Sequence, residues 1–121
     1  MADEFSLTDM NRADPANMTD MMRKHTPVID APDKVNSGDP FDVTIKVGGI
    51  DGVGHPNVLG HWINWVALYA GDRLLVRVDL APAVSQPLVT LNVTLEESTT
   101  LRAEAFCNMH GVWQATKRVG V

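Results

Sequence analysis

The chain has very little cysteine, no long apolar run and no excess of positive charge, and each shortage excludes a class of protein. The only cysteine among the 121 residues is Cys107, so no internal disulfide can form and no oxidising compartment is required. No apolar run approaches the ~18 residues of a membrane-spanning helix. The net charge of −5 argues against a nucleic-acid partner. The first residues are acidic and polar, unlike a secretory signal, so we expect a cytoplasmic protein.

The length and composition are those of one globular domain. Apolar residues make up 45% of the chain, enough for a single core at this length. We therefore expect one domain over residues 1–121, with residues 1–24 as an N-terminal arm. The acidic balance would repel an anionic substrate, so local positive charge would be needed to attract one. Arg23 and Lys24, directly before His25, can provide that charge.

Seven segments read as β-strands. In residues 41–47, FDVTIKV, apolar and polar side chains alternate, which is typical of a half-buried strand. Turn signals recur at short intervals, and no long helical pattern interrupts them. The predicted strands are residues 27–32, 41–47, 61–69, 73–80, 87–95, 99–107 and 112–119. This pattern predicts an all-β protein, an immunoglobulin-like antiparallel β-sandwich of about seven strands.

The N-terminal arm has a weaker pattern. Residues 1–13 indicate a poorly ordered or loosely docked segment. Asp14-Pro15 resembles an N-cap followed by proline at the first helical position. This predicts a short helix that ends near Lys24, with Met18, Met21 and Met22 on one face. The alternative is a methionine-rich loop packed against another subunit.

All the histidines, together with the cysteine, lie in stretches rich in glycine, proline or asparagine. The five residues are His25, His55, His61, Cys107 and His110. His55 and His61 share the loop GHPNVLGH, whose glycines allow tight backbone paths that turn both imidazoles to one point. Cys107 and His110 lie in the turn CNMHG between two strands, so a thiolate and an imidazole can bind one ion. Each motif alone also fits a surface loop or an inert cysteine.

The number and type of these donors indicate which metals could bind. Structural zinc sites prefer four tetrahedral ligands and are often rich in thiolate, whereas five donors leave a square pyramid with one open position. Imidazole suits iron, copper and zinc alike. A blue-copper site would use two histidines and a cysteine on a β-sandwich, with a weak axial methionine soon after His110. The residues there are Gly-Val-Trp-Gln-Ala, and two histidines would remain unexplained.

At this point the chain resembles the superoxide reductases, and specifically the one-iron neelaredoxin type. The resemblance runs from about Met21 to Val121. It rests on KHTPVIDAP, on the HPN…H loop at 55–61 with Trp-x-x-Leu-Tyr after it, and on CNxHGxW at 107–113. The related two-iron desulfoferrodoxins add a four-cysteine iron domain, which a chain with one cysteine cannot form.

The resemblance implies one iron per chain on an immunoglobulin-like sandwich. Cys107 would be the axial ligand, with His25, His55 and His61 bound equatorially through Nε2 and His110 through Nδ1. The implied reaction is the one-electron reduction of superoxide to hydrogen peroxide, without release of dioxygen. A rubredoxin-like protein would return the electron, and the neelaredoxin type implies a homotetramer.

The resemblance also assigns a role to Lys24, which matches the lysine of a Glu-Lys-His motif. It would attract superoxide and hold a water that supplies protons. The family usually has glutamate at the position of Arg23, where it binds ferric iron as the sixth ligand. Arginine stays protonated and cannot bind iron, so another group is expected in that position.

Two further expectations concern residues near the motifs. Trp62, Trp65 and Trp113 are interpreted as core and interface residues rather than redox relays, with Trp113 shielding one side of the site. Asn57 and Asn108 are expected to cap turns near the metal. Two other functions remain open from the residues alone: a cupredoxin-like electron-transfer protein, and an immunoglobulin-like interaction module whose histidines are incidental.

Overall fold

Two β-sheets stack face to face in the computed structural model, which describes residues 5–121. The bounds of the eight strands are β1 Asn11–Arg12, β2 Pro27–Asp30, β3 Phe41–Val47, β4 Ile63–Ala70, β5 Arg73–Asp79, β6 Leu88–Val93, β7 Thr99–Cys107 and β8 Gly111–Val119. One short helix, α1, spans Asp20–His25. The predicted β-sandwich with a short helix is confirmed, and each of the seven expected strands is present with ends shifted by a few residues at most.

The larger sheet has the order β1-β8-β7-β4-β5, and the smaller has the order β2-β3-β6. Every neighbouring pair is antiparallel except β1 and β8, which run parallel. The parallel pair involves the strand that the sequence did not predict. No helix within residues 5–121 is long and apolar enough to cross a membrane.

The core lies between the sheets and follows from the alternation of the strands. In β3, the side chains of Val43, Ile45 and Val47 are buried, while those between them face outward. In β7, Leu101, Ala103, Ala105 and Cys107 are buried in the same way. Because side chains alternate along a strand, the buried face of β7 carries Cys107 to the end of the core.

Strand register brings the sequence motifs to this same end of the sandwich. Cys107 pairs with Ile63, the first residue of β4, and with Gly111, the first residue of β8. The loop that carries His55 and His61 leads into β4, and the turn that carries His110 leads into β8. Two distant parts of the sequence therefore meet beside Cys107.

The helix begins later than the sequence predicted. Thr19 is its N-cap, and the Thr19 side chain accepts a hydrogen bond from the backbone N–H of Met22. Asp14 instead closes a separate turn, in which its carboxylate accepts from the Ala16 N–H and its carbonyl accepts from the Asn17 N–H. The prediction of a helix start at Asp14-Pro15 was wrong. The hydrogen bonds of Asp14 close a local turn there, and they do not cap a helix.

The arm is also more firmly attached than expected. Residues 1–4 lie outside the described residues. Within the rest of the predicted arm, Asn11 and Arg12 form β1 and pair with Trp113 and Gln114 of β8. The expectation of a poorly ordered or loosely docked arm is therefore wrong for Asn11 and Arg12.

Candidate metal centre

Four donor atoms meet where β4 begins and β7 ends. One ligand atom from each of His25, His55, His61 and Cys107 lies within 4.8 Å of the others. His55 Nε2 lies 3.2 Å from His25 Nε2 and 3.3 Å from Cys107 Sγ. Two atoms bound on opposite sides of one ion at about 2.1 Å would be roughly 4.2 Å apart. The separations therefore approach those of a shared coordination sphere.

The backbone determines which ring nitrogen His25 and His55 present to this cluster. His25 Nδ1 lies 2.7 Å from the Met21 carbonyl oxygen, and His55 Nδ1 lies 2.6 Å from the Pro56 carbonyl oxygen. A carbonyl only accepts, so each Nδ1 must carry the proton and donate it. Each Nε2 is then left with a lone pair directed at the cluster, the form in which imidazole binds a metal.

His61 and His110 complete the ring of imidazoles. The Nε2 atom of His61 is buried and has no hydrogen-bond partner among residues 5–121. His110 lies at the edge of the group, with Nδ1 3.7 Å from Cys107 Sγ and its ring centroid 5.0 Å from that of His61. A buried nitrogen without a partner is costly, and a bound metal ion would satisfy it.

Burial keeps the histidines uncharged. It lowers the pKa of His25 and of His55 to about 4, and it also lowers the pKa of His61 and His110. The hydrogen bonds that His25 and His55 donate to the Met21 and Pro56 carbonyls raise the pKa, but the effect of burial is larger. The imidazoles are therefore neutral near pH 7, as metal ligands must be.

Cys107 lies at the base of the cluster and is fully buried. Burial raises the pKa of its thiol, while hydrogen bonds from the backbone N–H groups of Met109 and His110 lower it. Both donors follow the cysteine in its own turn. They would stabilise a thiolate once a cation offsets the desolvation.

Two local features hold the ligand loops together. Gly48, directly after β3, has φ +89°, and a Cβ atom there would lie 2.8 Å from the backbone nitrogen of His55. Only glycine permits this approach. Asn108 joins the two loops, since its Oδ1 accepts from the Trp62 N–H at 3.0 Å and its Nδ2 donates to the Gly60 carbonyl at 2.8 Å.

The comparisons with known proteins identify the family of this chain. The desulfoferrodoxin profile matches residues 17–116, which include all five candidate ligands. The chain belongs to the desulfoferrodoxin family. It is 28% identical over 116 residues to the neelaredoxin of Megalodesulfovibrio gigas, covering 81% of this chain and 88% of that protein. It is 36% identical over 101 residues to the desulfoferrodoxin of Clostridium acetobutylicum, covering 83% and 68%.

A solved structure from the same family shares the fold. The superoxide reductase (neelaredoxin) from Ignicoccus hospitalis superposes with a TM-score of 0.72 at 38% sequence identity, covering 80% of each chain. The match confirms the resemblance to superoxide reductases read from the three motifs.

The donor set fits the iron of this family. Neutral imidazoles and a thiolate are ligands that iron accepts. The buried Nε2 of His61 needs a partner, and the Nε2 atoms of His25 and His55 already converge. These observations concern the chain's own atoms and agree with a metal ion at their centre.

Lys24 and Arg23 take different positions beside this centre. The charge of Lys24 is close enough to lower the pKa of His61 and His110, after the larger effect of burial. Arg23 forms salt bridges with two carboxylates: its Nε lies 3.1 Å from Asp51 Oδ2, and its Nη1 lies 3.2 Å from Asp20 Oδ1. The positive charge of Arg23 is thus shared with two acidic groups, whereas the charge of Lys24 acts on the histidines.

The tryptophans and asparagines of the motifs have distinct neighbours. Trp113 is buried and stacks on His25, with ring centroids 5.2 Å apart, so it covers one side of the site as expected. Trp65 faces outward and stacks on Phe106. Asn108 binds the two ligand loops as described. Asn57 instead donates a hydrogen bond from Nδ2 to the Ser85 carbonyl and accepts one at Oδ1 from the Ala83 N–H. These two bonds connect its loop to the segment before β6.

Sequence reasoning missed the contact that the N-terminal segment makes with the site. The ring of Phe5 meets the ring of His110 edge-on, with centroids 4.8 Å apart. Phe5 lies far from the ligand motifs along the chain, and its neighbours are polar or acidic. A clue was available in Gly111, because a glycine directly after a ligand marks a place where another segment can approach closely.

Proposed function

We propose that this protein is a superoxide reductase that reduces superoxide to hydrogen peroxide at one iron ion per chain. Each turnover takes one electron and two protons and releases no dioxygen. The observation that carries the proposal is the convergence of three imidazoles and a thiolate, in which His25 and His55 direct their lone pairs at one another. Membership of the desulfoferrodoxin family supports the choice of iron over copper.

The ligands we propose are the five residues of the cluster. Cys107 binds through its sulfur, His110 through Nδ1, and the other three histidines through Nε2. His25 and His55 use Nδ1 for hydrogen bonds to backbone carbonyls, which supports Nε2 as their metal-binding atom. His110 Nδ1 lies 3.7 Å from Cys107 Sγ, which supports Nδ1 as the metal-binding atom of His110. When bound, ferrous iron would supply the electron that superoxide takes up, and the Cys107 thiolate would increase the electron density on the iron.

The residues around the site handle the anion and its protons. Lys24 attracts superoxide toward His61 and His110 against the negative charge of the whole chain. Its ammonium also holds a water that donates the protons needed to release peroxide. Trp113 is buried and covers the side of the cluster at His25, and substrate enters from the side of Lys24.

An external protein returns the electron, and we propose a rubredoxin-like donor. Leu59 and Met109 support docking close to the iron, because they are exposed on the two loops that carry the ligands. We also propose one domain over residues 1–121, because both sheets share a single apolar cluster. A cytoplasmic location suits a centre that depends on a reduced cysteine.

We further propose a homotetramer, as in the neelaredoxin type. The outward face of the larger sheet supports an interface, since Trp65, Phe106 and Arg77 form a stacked layer there. Sedimentation analysis of the iron-loaded protein measures the mass directly. A monomer at micromolar concentration would contradict this part of the proposal.

The decisive experiment measures iron content, visible spectrum and superoxide consumption on the same purified sample. We expect about one iron per chain, a colourless reduced form, a blue oxidised form and peroxide production without dioxygen. His55→Ala should lose iron and activity together. Val58→Ala, in the same loop and with a side chain that is 55% exposed, is the matched control and should keep both. Copper in the site, or dioxygen release, would contradict the proposal.

A further inference from the structure

The N-terminal loop, residues 5–12, is closed by the side chain of Asn11. Its Oδ1 accepts from the Ser6 N–H at 2.7 Å, and its Nδ2 donates to the Ser6 carbonyl at 2.8 Å. The same Nδ2 lies 3.0 Å from the Val112 carbonyl of β8. One amide therefore both shapes the loop and attaches it to the strand that follows His110.

The loop also lies directly against the turn that carries His110. Gly111 has φ +82°, and a Cβ atom there would lie 2.5 Å from the Ser6 carbonyl oxygen and 3.4 Å from Leu7 Cα. Real Cβ atoms do not approach a backbone oxygen so closely. The turn therefore uses glycine both for its conformation and to let the loop pack on it.

This attachment places the ring of Phe5 against the ring of His110. The two centroids are 4.8 Å apart, and the ring planes are 88° apart, a favourable edge-to-face arrangement. The rings of His25 and His61 lie 4.9 Å and 5.0 Å from the same imidazole. His110 is thus enclosed by two candidate ligands and by Phe5.

The candidate ligands differ in how their rings are oriented. His25 and His55 each bond a backbone carbonyl through Nδ1. Within residues 5–121, the His110 ring makes no such bond, and its one polar contact is Cys107 Sγ at 3.7 Å. Ligand rings that lack a hydrogen-bonded partner need another contact to hold their orientation. The Phe5 ring is in position to provide it.

We propose that Phe5 is a positioning residue for His110, held in place by Asn11. The edge-to-face contact keeps the imidazole turned so that Nδ1 points toward Cys107 and a shared metal ion. Phe5 touches neither substrate nor metal and acts only through His110. The inference rests on the proposed function to the extent that His110 is a ligand.

The test measures how fast the site releases a metal that reports its own geometry. Cobalt(II) replaces iron in the purified protein, and its visible spectrum, including thiolate charge transfer, is recorded before an excess of chelator is added. We expect Phe5→Ala and Phe5→Leu to release cobalt roughly tenfold faster, within the 10–100-fold range for residues that orient a ligand. Both should also shift the cobalt absorption bands. Phe5→Tyr, which keeps the aromatic edge, should restore the wild-type spectrum and a rate within about twofold.

Two further variants separate positioning from general loosening of the arm. Asn11→Ala removes the anchor without touching His110 and should reproduce the faster release seen for Phe5→Ala. Leu7→Ala, in the same loop with a side chain that is 64% exposed, is the matched control and should release cobalt at the wild-type rate. Circular dichroism of each metal-free variant checks that the sandwich is folded.

The outcomes distinguish this inference from the proposed function. Wild-type release and an unchanged spectrum in Phe5→Ala would overturn the role of Phe5, even if the iron protein reduces superoxide. Failure of Phe5→Tyr to restore the spectrum would also overturn it. Faster release from Phe5→Ala in a protein that does not reduce superoxide would support the positioning role and contradict the proposed activity. If the wild-type protein takes up no cobalt, the inference is wrong.

Discussion

The Nε2 atoms of His25 and His55 lie 3.2 Å apart while both Nδ1 atoms are bound to backbone carbonyls. Each Nδ1 donates its proton, so two lone pairs face each other across that distance. Burial holds the pKa of both rings at about 4, so neither ring gains a proton near pH 7 to relieve the repulsion. The fold therefore holds the two rings in an arrangement that a bound cation would stabilise.

Iron should accordingly stabilise the folded protein. A ligand present at a thousandfold its Kd adds about 4 kcal/mol to the free energy of unfolding, which is roughly 15 °C in Tm for a chain of this length. Anaerobic calorimetry with and without ferrous iron measures the shift. His55→Ala is the control and should show little response. A wild-type Tm that is independent of iron would contradict a shared metal site.

Lys24→Gln should lower the second-order rate constant for superoxide by roughly tenfold. The substitution removes the positive charge that acts on His61 and His110, while the iron content should stay unchanged because Lys24 is not among the proposed ligands. Pulse radiolysis at several ionic strengths measures the rate, and its salt dependence should also weaken.

The matched control for this change is Lys34→Gln. Lys34 is exposed, and its backbone forms an isolated β-bridge with Gly120, just past the end of β8. The metal site lies at the opposite end of β8, beside Gly111. Its loss should change the rate by less than about twofold, because an exposed charge farther away than the Debye length is screened. Equal losses in both variants would mean that only net charge matters and that Lys24 has no local role.

Arg23→Glu should place a carboxylate beside the oxidised iron and shift its charge-transfer band. The present arginine bonds Asp20 and Asp51, and a glutamate would be repelled by both of these carboxylates. That repulsion favours a turn of the new side chain toward the metal. Arg23→Gln removes the charge without adding a carboxylate and is the control, with the wild-type spectrum expected. An unchanged ferric spectrum in Arg23→Glu would contradict the prediction.

Gly48→Ala should destabilise the fold by about 1–3 kcal/mol, the usual range for a strained backbone position. Its φ is +89°, and the added Cβ would lie 2.8 Å from the His55 backbone nitrogen. The displaced His55 should also weaken iron retention. Gly54→Ala, next to His55 but with no atom within 4 Å of an added Cβ, should leave stability nearly unchanged. Urea unfolding of both variants gives the comparison, and equal stability would show that the approach at Gly48 is not tight.

Much of the fold was predictable because its signals are local. The alternation in residues 41–47 identifies the buried face of β3, and the structure buries Val43, Ile45 and Val47 as that pattern requires. The identity of the candidate ligands was equally local, since every histidine and the cysteine lie in short motifs. The structure brings His25, His55, His61 and Cys107 together and places His110 beside them.

The start of the helix was mispredicted because two local caps compete within a few residues. Asp14-Pro15 carries the usual composition of a helix start, yet Asp14 closes a turn and Thr19 caps the helix. Composition ranks possible caps, but the packing of the following residues selects between them.

The sequence by itself identified the candidate donors, the strand faces and the family, because these depend on residue type and short-range periodicity. Three contacts were decided only by the tertiary structure. They are the salt bridge of Arg23 with Asp51, the close approach of the His55 backbone to Gly48, and the edge-to-face contact of Phe5 with His110. The first and last of these contacts join residues far apart in the chain. They follow from which strands pair and in what register, and no local pattern encodes that arrangement.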